Sequence, residues 1–294
     1  MTLATGALKL FRRWVGDGSH GARQAAFLKG LCRLVPVRRK EALKAITLSF
    51  PEKTPEECRR ILDGVYDHFC WMIVEWVACM NRPGLVNEIF ECSPDDLAKI
   101  KSYAGGGKGV VVLCAHFGNW ELGGAWMAAQ NLPLLCVARE ADDGAFSDLI
   151  TAWRDELGVK TLMKSRSRSF LRLAVQTPRQ GVSLALLADQ DGGRNGQEVT
   201  FLGRPCTAVR GPALISLLAG VPVLPLYALR LGPFRYKVVL EEPLAVDEKL
   251  SKEEKIAAIT EAANRSVEQL VRRYPEQWFW FHRRWKSGLS RESV

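Results

Sequence analysis

Very little in this sequence invites a metal, a disulfide or a nucleotide. Its eight cysteines are scattered through 294 residues, and no two are closer than the nine positions separating Cys70 and Cys79. Neither the CxxC spacing of a zinc or redox centre nor a disulfide framework is therefore supported, and the cysteines read as small core residues in a reducing compartment. Gly107-Lys108-Gly109 falls short of a phosphate loop, because Ser102 stands where the leading glycine belongs and Gly109 where Ser or Thr should follow the lysine. Gly181-Val-Ser-Leu-Ala185 lacks the second glycine of a nucleophile elbow. Helix-turn-helix, RNP and zinc-finger patterns are missing too, which argues against nucleic acid as the partner. The apolar run from Cys70 to Met80 is broken by Glu75, and it is too short for the roughly 18 to 20 residues of a bilayer span. The N-terminus carries no small-residue cleavage pattern of a signal peptide, so the expected compartment is the cytoplasm.

What is present describes a folded chain with an acidic partner. With 47% hydrophobic and 25% charged residues, nine Trp, twelve Phe and a mean hydropathy of -0.06, the sequence can bury a sizeable core. Residues 1 to 40 hold nine basic residues against a single acidic one, Asp17, so this segment carries +8 of the formal net charge of +9. Leu3, Ala7, Leu10, Phe11 and Trp14 recur at helical spacing with Lys9, Arg12 and Arg13 opposite. That is the pattern of an interfacial helix on an anionic leaflet, or of a surface helix packing its stripe on the domain.

Thr54-Pro55-Glu56-Glu57 is a capping box with proline at the first helical position, and it opens a helix expected to run to about Cys79. The first hundred residues read as helical throughout. After the glycines at 105 to 107, apolar runs at Val110 to Ala115, Leu134 to Ala138, Val182 to Ala188 and Val221 to Leu229 alternate with helical stretches, and Arg235 to Leu240 suits an antiparallel edge strand. The expected fold is α/β: a mainly parallel sheet with flanking helices (residues 101–294) and an N-terminal helical cap (1–100), together one domain.

The chemistry concentrates at Val110-Val-Val-Leu-Cys-Ala-His116-Phe-Gly-Asn-Trp-Glu121. A strand delivers His116 at its carboxyl end, where α/β sheets place their ligands, and Asn119 offers a helix cap. On one continuous helix, residues five apart point about 140° from each other, so His116 and Glu121 meet only if the Phe117 to Asn119 turn bends the chain. A histidine oriented by a carboxylate can take a proton from a hydroxyl. A purely structural histidine fits the same spacing.

His116-Phe-Gly-Asn-Trp-Glu121 resembles the HxxxxE block of the bacterial lipid A late acyltransferases, the lauroyl and myristoyl transferases of the lysophospholipid acyltransferase superfamily. Val35-Pro-Val-Arg-Arg-Lys40 and Leu48-Ser-Phe-Pro-Glu52 upstream are similar to that family's first segment. Ala188-Asp-Gln-Asp-Gly-Gly193, Val199-Thr-Phe-Leu-Gly-Arg-Pro205 and Arg210-Gly-Pro-Ala213 follow downstream, and Pro275-Glu-Gln-Trp-Phe-Trp-Phe-His-Arg-Arg-Trp285 is similar to its closing motif. The resemblance covers roughly residues 35 to 286 in order.

It implies a glycerolipid acyltransferase-like fold and the transfer of a fatty acyl chain, without metal or cofactor. The donor would be acyl carrier protein or acyl-CoA, and the acceptor a hydroxyl of a membrane glycolipid, a lipid A precursor in the first place. His116 would be the general base and Glu121 its orienting partner. Arg139 would bind a phosphate or head group; Asn119 would position the loop at the substrate, and Asp189 and Gln190 would line the same face. The place of work would be the cytoplasmic face of the bacterial inner membrane. Where many members carry a membrane-spanning helix, this chain has the basic amphipathic stretch, which implies peripheral attachment to an anionic surface. Six basic residues between Leu157 and Ala188, with no acidic one, suit an acyl carrier protein, a phosphorylated glycolipid or the membrane. The Trp278 to Trp285 cluster is expected to pack as a C-terminal cap. Other acyl acceptors, a thioesterase that activates water at the same histidine, and a non-catalytic lipid-binding protein are the alternative readings.

Overall fold

A computed structural model describes residues 3–35, 37–105, 107–139, 144–164 and 168–287. The front comprises α1 (Leu3–Val15), α2 (Gly21–Leu34), α3 (Arg39–Ser49), α4 (Pro55–Asn81), α5 (Leu85–Ile89) and α6 (Pro94–Gly105). The front is not wholly helical, because a two-residue strand, β1 (Phe90–Glu91), lies between α5 and α6. It is too short to leave a period in the sequence. The capping box forms as expected: the Thr54 side chain accepts from the Glu57 amide while Glu57 reaches back to the Thr54 amide.

From residue 111 the chain alternates. In order come β2 (Val111–Cys114), α7 (Trp120–Ala129), β3 (Leu134–Arg139), α8 (Gly144–Glu156), β4 (Lys160–Lys164), α9 (Arg168–Arg179) and β5 (Ser183–Leu187). A hairpin of β6 (Gln197–Phe201) and β7 (Arg204–Ala208), then α10 (Gly211–Ala219), β8 (Val223–Gly232), β9 (Arg235–Leu240) and α11 (Lys252–Arg273) complete it. The seven-stranded sheet has the order β1-β9-β8-β2-β5-β3-β4. Its five strands from β8 to β4 are parallel, while β9 turns back against β8. β9 is antiparallel as expected but is not an edge, since β1 pairs along its outer side.

Val111, Val112 and Leu113 of β2 are fully buried, covered on both faces of the sheet. Front and sheet share apolar clusters: Val74, Val77 and Ala78 of α4 pack with Leu122, Ala125 and Leu224. Glu75, which interrupts the apolar run of α4, is buried and accepts from Arg230 at 3.2 Å and from the Phe234 amide at 2.7 Å. The Tyr236 hydroxyl also donates to it. The residue that breaks the hydropathy pattern is thus the one that fastens α4 to β8 and β9.

Trp278, Trp280 and Trp285 are buried against Phe201 and the end of α11, so the C-terminal aromatics form a cap. The amphipathic stripe of α1 divides. Phe11 and Val15 turn to the core, Leu10 and Trp14 face outward, and Arg12 points inward to pair with Glu156 at 2.9 Å. The side chains of Leu3 and Ala7 lie outside the described residues.

Candidate active site

The sheet order creates the site. The connection leaving β2 runs through α7 toward β3 on one side, whereas the chain leaving β5 returns past β2 to β8 on the other. The carboxyl ends of adjacent β2 and β5 therefore flank a topological switch point, where open α/β sheets form their binding crevice. Cys114 pairs with Leu187, and the Ala188 amide donates to the Cys114 carbonyl at 3.1 Å. That register carries His116 and Asp189 past their strand ends side by side.

The two make a double contact. His116 Nδ1 lies 2.9 Å from Asp189 Oδ1, and the His116 amide donates to Oδ2 at 3.0 Å. A carboxylate only accepts, so Nδ1 carries the proton and Nε2 presents its lone pair. The Asp189 side chain has no solvent exposure while that of His116 keeps 17%. Trp278 Nε1 donates to Asp189 Oδ2 at 2.8 Å. Burial alone would raise the Asp189 pKa, but the charge on His116 and its hydrogen bond, together with the nearby His282, outweigh it and hold the carboxyl well below its usual range.

The Phe117 to Asn119 turn is clamped from two sides. Gly118 has a φ of +58°, and a Cβ there would meet the Ala228 carbonyl oxygen at 1.8 Å, so β8 approaches too closely for any other residue. The Gly118 amide donates to the Gln277 carbonyl at 2.9 Å, and the Phe279 amide to the His116 carbonyl at 2.9 Å. His68 Nε2 donates to the Gly118 carbonyl at 3.0 Å from α4. Trp120 packs edge-on against the His116 ring, with centroids 5.0 Å apart.

The expected pairing of His116 with Glu121 is not what the chain forms. Glu121 holds Arg154 of α8 in a bidentate pair at 2.7 and 2.8 Å, and it accepts from Trp120 Nε1 at 3.0 Å. The turn does bend the chain, but α7 starts at Trp120 and carries Glu121 toward α8, leaving Asp189 against the imidazole. Asn119 does position the loop, and it has nothing left for substrate. It is fully buried, its Oδ1 accepts from the Leu122 amide at 3.1 Å, and its Nδ2 donates to Tyr236 Oη at 3.1 Å and to the Met72 carbonyl at 3.4 Å. Gln190 is exposed beside the crevice, with its carbonyl bonded by Arg284 Nη1 at 3.0 Å. Arg139 ends β3 opposite Lys164, and its side chain lies outside the described residues. Asp189, expected to line the face, instead sits behind His116 as its partner.

Trp278, His282, Arg154 and His68 join the site without having been expected there. The closing motif signalled the first two, but only as a cap. Trp120 also lines a small apolar cavity of about 50 Å³. Ala115 and Phe117, which flank His116, line it with Met127, Val159 and Leu226, and the Glu121–Arg154 pair is set in its wall. Burial pushes the Cys136 thiol up to about 12, so it lines this space as a neutral, apolar group. Among the described residues, no three His, Cys, Asp or Glu are grouped to hold a metal ion.

Comparison with known proteins finds relatives over most of the chain. Over 264 residues the chain is 25% identical to the lipid A biosynthesis palmitoleoyltransferase of Escherichia coli strain K12, covering 87% of this chain and 82% of that protein. It is 24% identical over 199 residues to the phosphatidylinositol mannoside acyltransferase of Mycolicibacterium smegmatis, covering 67% of this chain and 63% of that one. The corresponding Mycobacterium tuberculosis protein is 25% identical over 186 residues, covering 63% and 57%. The match thus spans about three fifths of the length of the mycobacterial relatives. The family model described as bacterial lipid A biosynthesis acyltransferase matches residues 22–287, which take in the clamped turn, the Asp189 strand end and the C-terminal cap, and the chain belongs to that family.

Proposed function

We propose that the protein is an O-acyltransferase that moves a fatty acyl chain from an acyl thioester, on acyl carrier protein or coenzyme A, to a hydroxyl of a membrane glycolipid. The observation that carries this reading is the His116–Asp189 pair, with Nε2 open, next to the Ala115 and Phe117 side of an apolar cavity. The names of the relatives support it, since lipid A and phosphatidylinositol mannosides are both glycolipids.

In the transfer, His116 Nε2 takes the proton of the acceptor hydroxyl as its oxygen attacks the thioester carbonyl. Asp189 keeps the ring in the tautomer this needs and balances the charge of the imidazolium. The Trp120 and Glu121 amides, at the positive end of α7, face the developing oxyanion, those of Leu122 and Gly123 being taken by Asn119. The tetrahedral intermediate collapses with loss of the thiolate, which recovers the proton from His116. The acyl chain enters at the apolar cavity, which widens to take it, and the Glu121–Arg154 pair, flanked by Trp120, is the polar part of its lining. Gln190, which is exposed, and Arg139, at the end of β3, are assigned to the acceptor head group.

The same reading extends to the membrane. No helix among the described residues is long and apolar enough to cross a bilayer. Leu10 and Trp14 of α1 stand exposed beside Phe27, Leu31 and Leu34 of α2, the Trp14 and Phe27 rings touching edge to face at 5.4 Å. Exposed Lys9, Arg13, Arg23 and Arg33 surround them. An apolar patch in a basic ring fits peripheral docking on the anionic cytoplasmic face of the bacterial inner membrane.

The test is acyl transfer from labelled acyl carrier protein and from labelled acyl-CoA to an extracted bacterial lipid pool, read by mass spectrometry. Acyl gain by one glycolipid class, lost in His116→Ala, is expected and names the acceptor. Release of free fatty acid alone in the presence of that pool contradicts transfer in favour of hydrolysis.

A further inference from the structure

Asp189 is shared by two histidines, and only one has a task in the proposed transfer. His282, four residues past Trp278, brings its Nε2 to 3.5 Å from Asp189 Oδ2 with 8% of its side chain exposed. Neither of its ring nitrogens finds a partner at hydrogen-bonding distance and angle among the described residues. Trp278 holds the ring edge to face at 4.6 Å, and the His116 ring lies 6.1 Å away. An apolar side chain of similar size would fill this space without the cost of a buried polar ring, so the imidazole is there for its nitrogen.

We infer that His282 is a positioning residue, which sets the strength of His116 as a base by sharing the Asp189 carboxylate. The inference rests on the reading of His116 as the general base. Asp189 Oδ1 takes the Nδ1 proton of His116, while Oδ2 already accepts from the His116 amide and Trp278. A neutral His282 with its Nε2 proton toward Oδ2 closes the remaining side of the carboxylate and draws off part of its charge. The other groups facing the carboxylate are Arg284, whose charge acts on it through the interior, and Cys114 and Tyr227, whose burial keeps them neutral. Burial likewise favours the neutral ring of His282, against the pull of Asp189. A second cation there would compete with the His116 imidazolium for a single carboxylate.

Removing the donor leaves the full carboxylate charge to His116 and makes it the stronger base. The acid limb of kcat/KM, measured with dodecanoyl-CoA and the acceptor lipid identified above, is expected to move up in His282→Leu by about half a pH unit, roughly a threefold change in the protonation equilibrium. On the acid side of the limb kcat falls with KM unchanged, and His282→Gln, which returns an N–H, brings the limb back toward wild type. A His282→Leu profile that superimposes on wild type, a loss confined to KM, or a His282→Gln limb no closer to wild type than that of His282→Leu overturns the inference. If His282→Leu does not fold, the acid limb of His282→Gln against His282→Asn, which is too short to reach Asp189, decides in the same way. His116→Ala in the same assay separates the two levels: activity that survives it removes the general base itself, whereas inactivity with superimposed His282 profiles removes only the role of His282.

Discussion

Two carboxylates, Glu75 and Asp189, are withdrawn completely from solvent, and they are finished differently. Glu75 accepts from Arg230, the Phe234 amide and the Tyr236 hydroxyl, and Tyr236 accepts in turn from Asn119, so the network begins and ends in protein. Asp189 accepts from the His116 amide, the His116 ring and Trp278, but the imidazole that completes this set keeps its far nitrogen without a partner among the described residues. A closed network fastens helices to a sheet, and an open one has a proton still to exchange. The network on α4, β8 and β9 thus holds the turn in place, and the one beyond the ends of β2 and β5 acts through it.

The comparison breaks most visibly at Asp189. Asp189→Asn keeps the shape but no longer enforces the tautomer with a free Nε2, and acyl transfer is expected to fall by about 10³ to 10⁴-fold. Circular dichroism and the melting curve of that variant should stay near wild type. Glu75→Ala should do the reverse. It strands a buried Arg230, and urea unfolding should show a loss of about 3 to 5 kcal/mol, with activity per folded molecule little changed.

His68 sharpens the contrast through pH. Its ring is buried and donates to the Gly118 carbonyl; burial drives its pKa down from 6.5 to about 4, and the Gly118 bond opposes that only in part. In the unfolded chain it titrates near 6.5. The folded state therefore holds it neutral while the unfolded state takes up a proton, so the stability present above pH 6.5 is lost as pH falls from 6.5 to 4. The loss amounts to about 3 kcal/mol. Between pH 7 and pH 4 the unfolding free energy of wild type should fall by about that amount more than that of His68→Gln.

Smaller effects follow at the links. Asn119→Ala removes the α7 cap and the bond to Tyr236, which should cost about 1 to 2 kcal/mol in thermal melts and lower transfer modestly as the turn loosens. Trp14→Ala with Phe27→Ala should weaken sedimentation with anionic vesicles about tenfold, while turnover of detergent-dispersed acceptor is unaffected.

What was legible in the sequence follows the range of the interactions. The run Val110 to Ala115 and the capping box at Thr54 are local and strongly patterned, and both elements form where expected. β4 escaped notice because it is an edge strand with exposed lysines at both ends, and the β6–β7 hairpin because its strands alternate polar residues over a small buried face. His116 was found from its place after a buried strand. Its partner was misjudged because Glu121 lies five positions away in sequence, whereas Asp189 lies 73 away and becomes adjacent only once β5 inserts next to β2. No spacing rule reports that insertion. His282 and Trp278 reach the same carboxylate from the far end of the chain, visible beforehand only as an aromatic cluster.

The most direct test of the account is the proton NMR signal of the His116 Nδ1–H in protein labelled with ¹⁵N at histidine. A proton held against a buried carboxylate is strongly shifted downfield, and the account predicts that this signal persists in Glu121→Gln and disappears in Asp189→Asn. A signal lost in Glu121→Gln and kept in Asp189→Asn would contradict it.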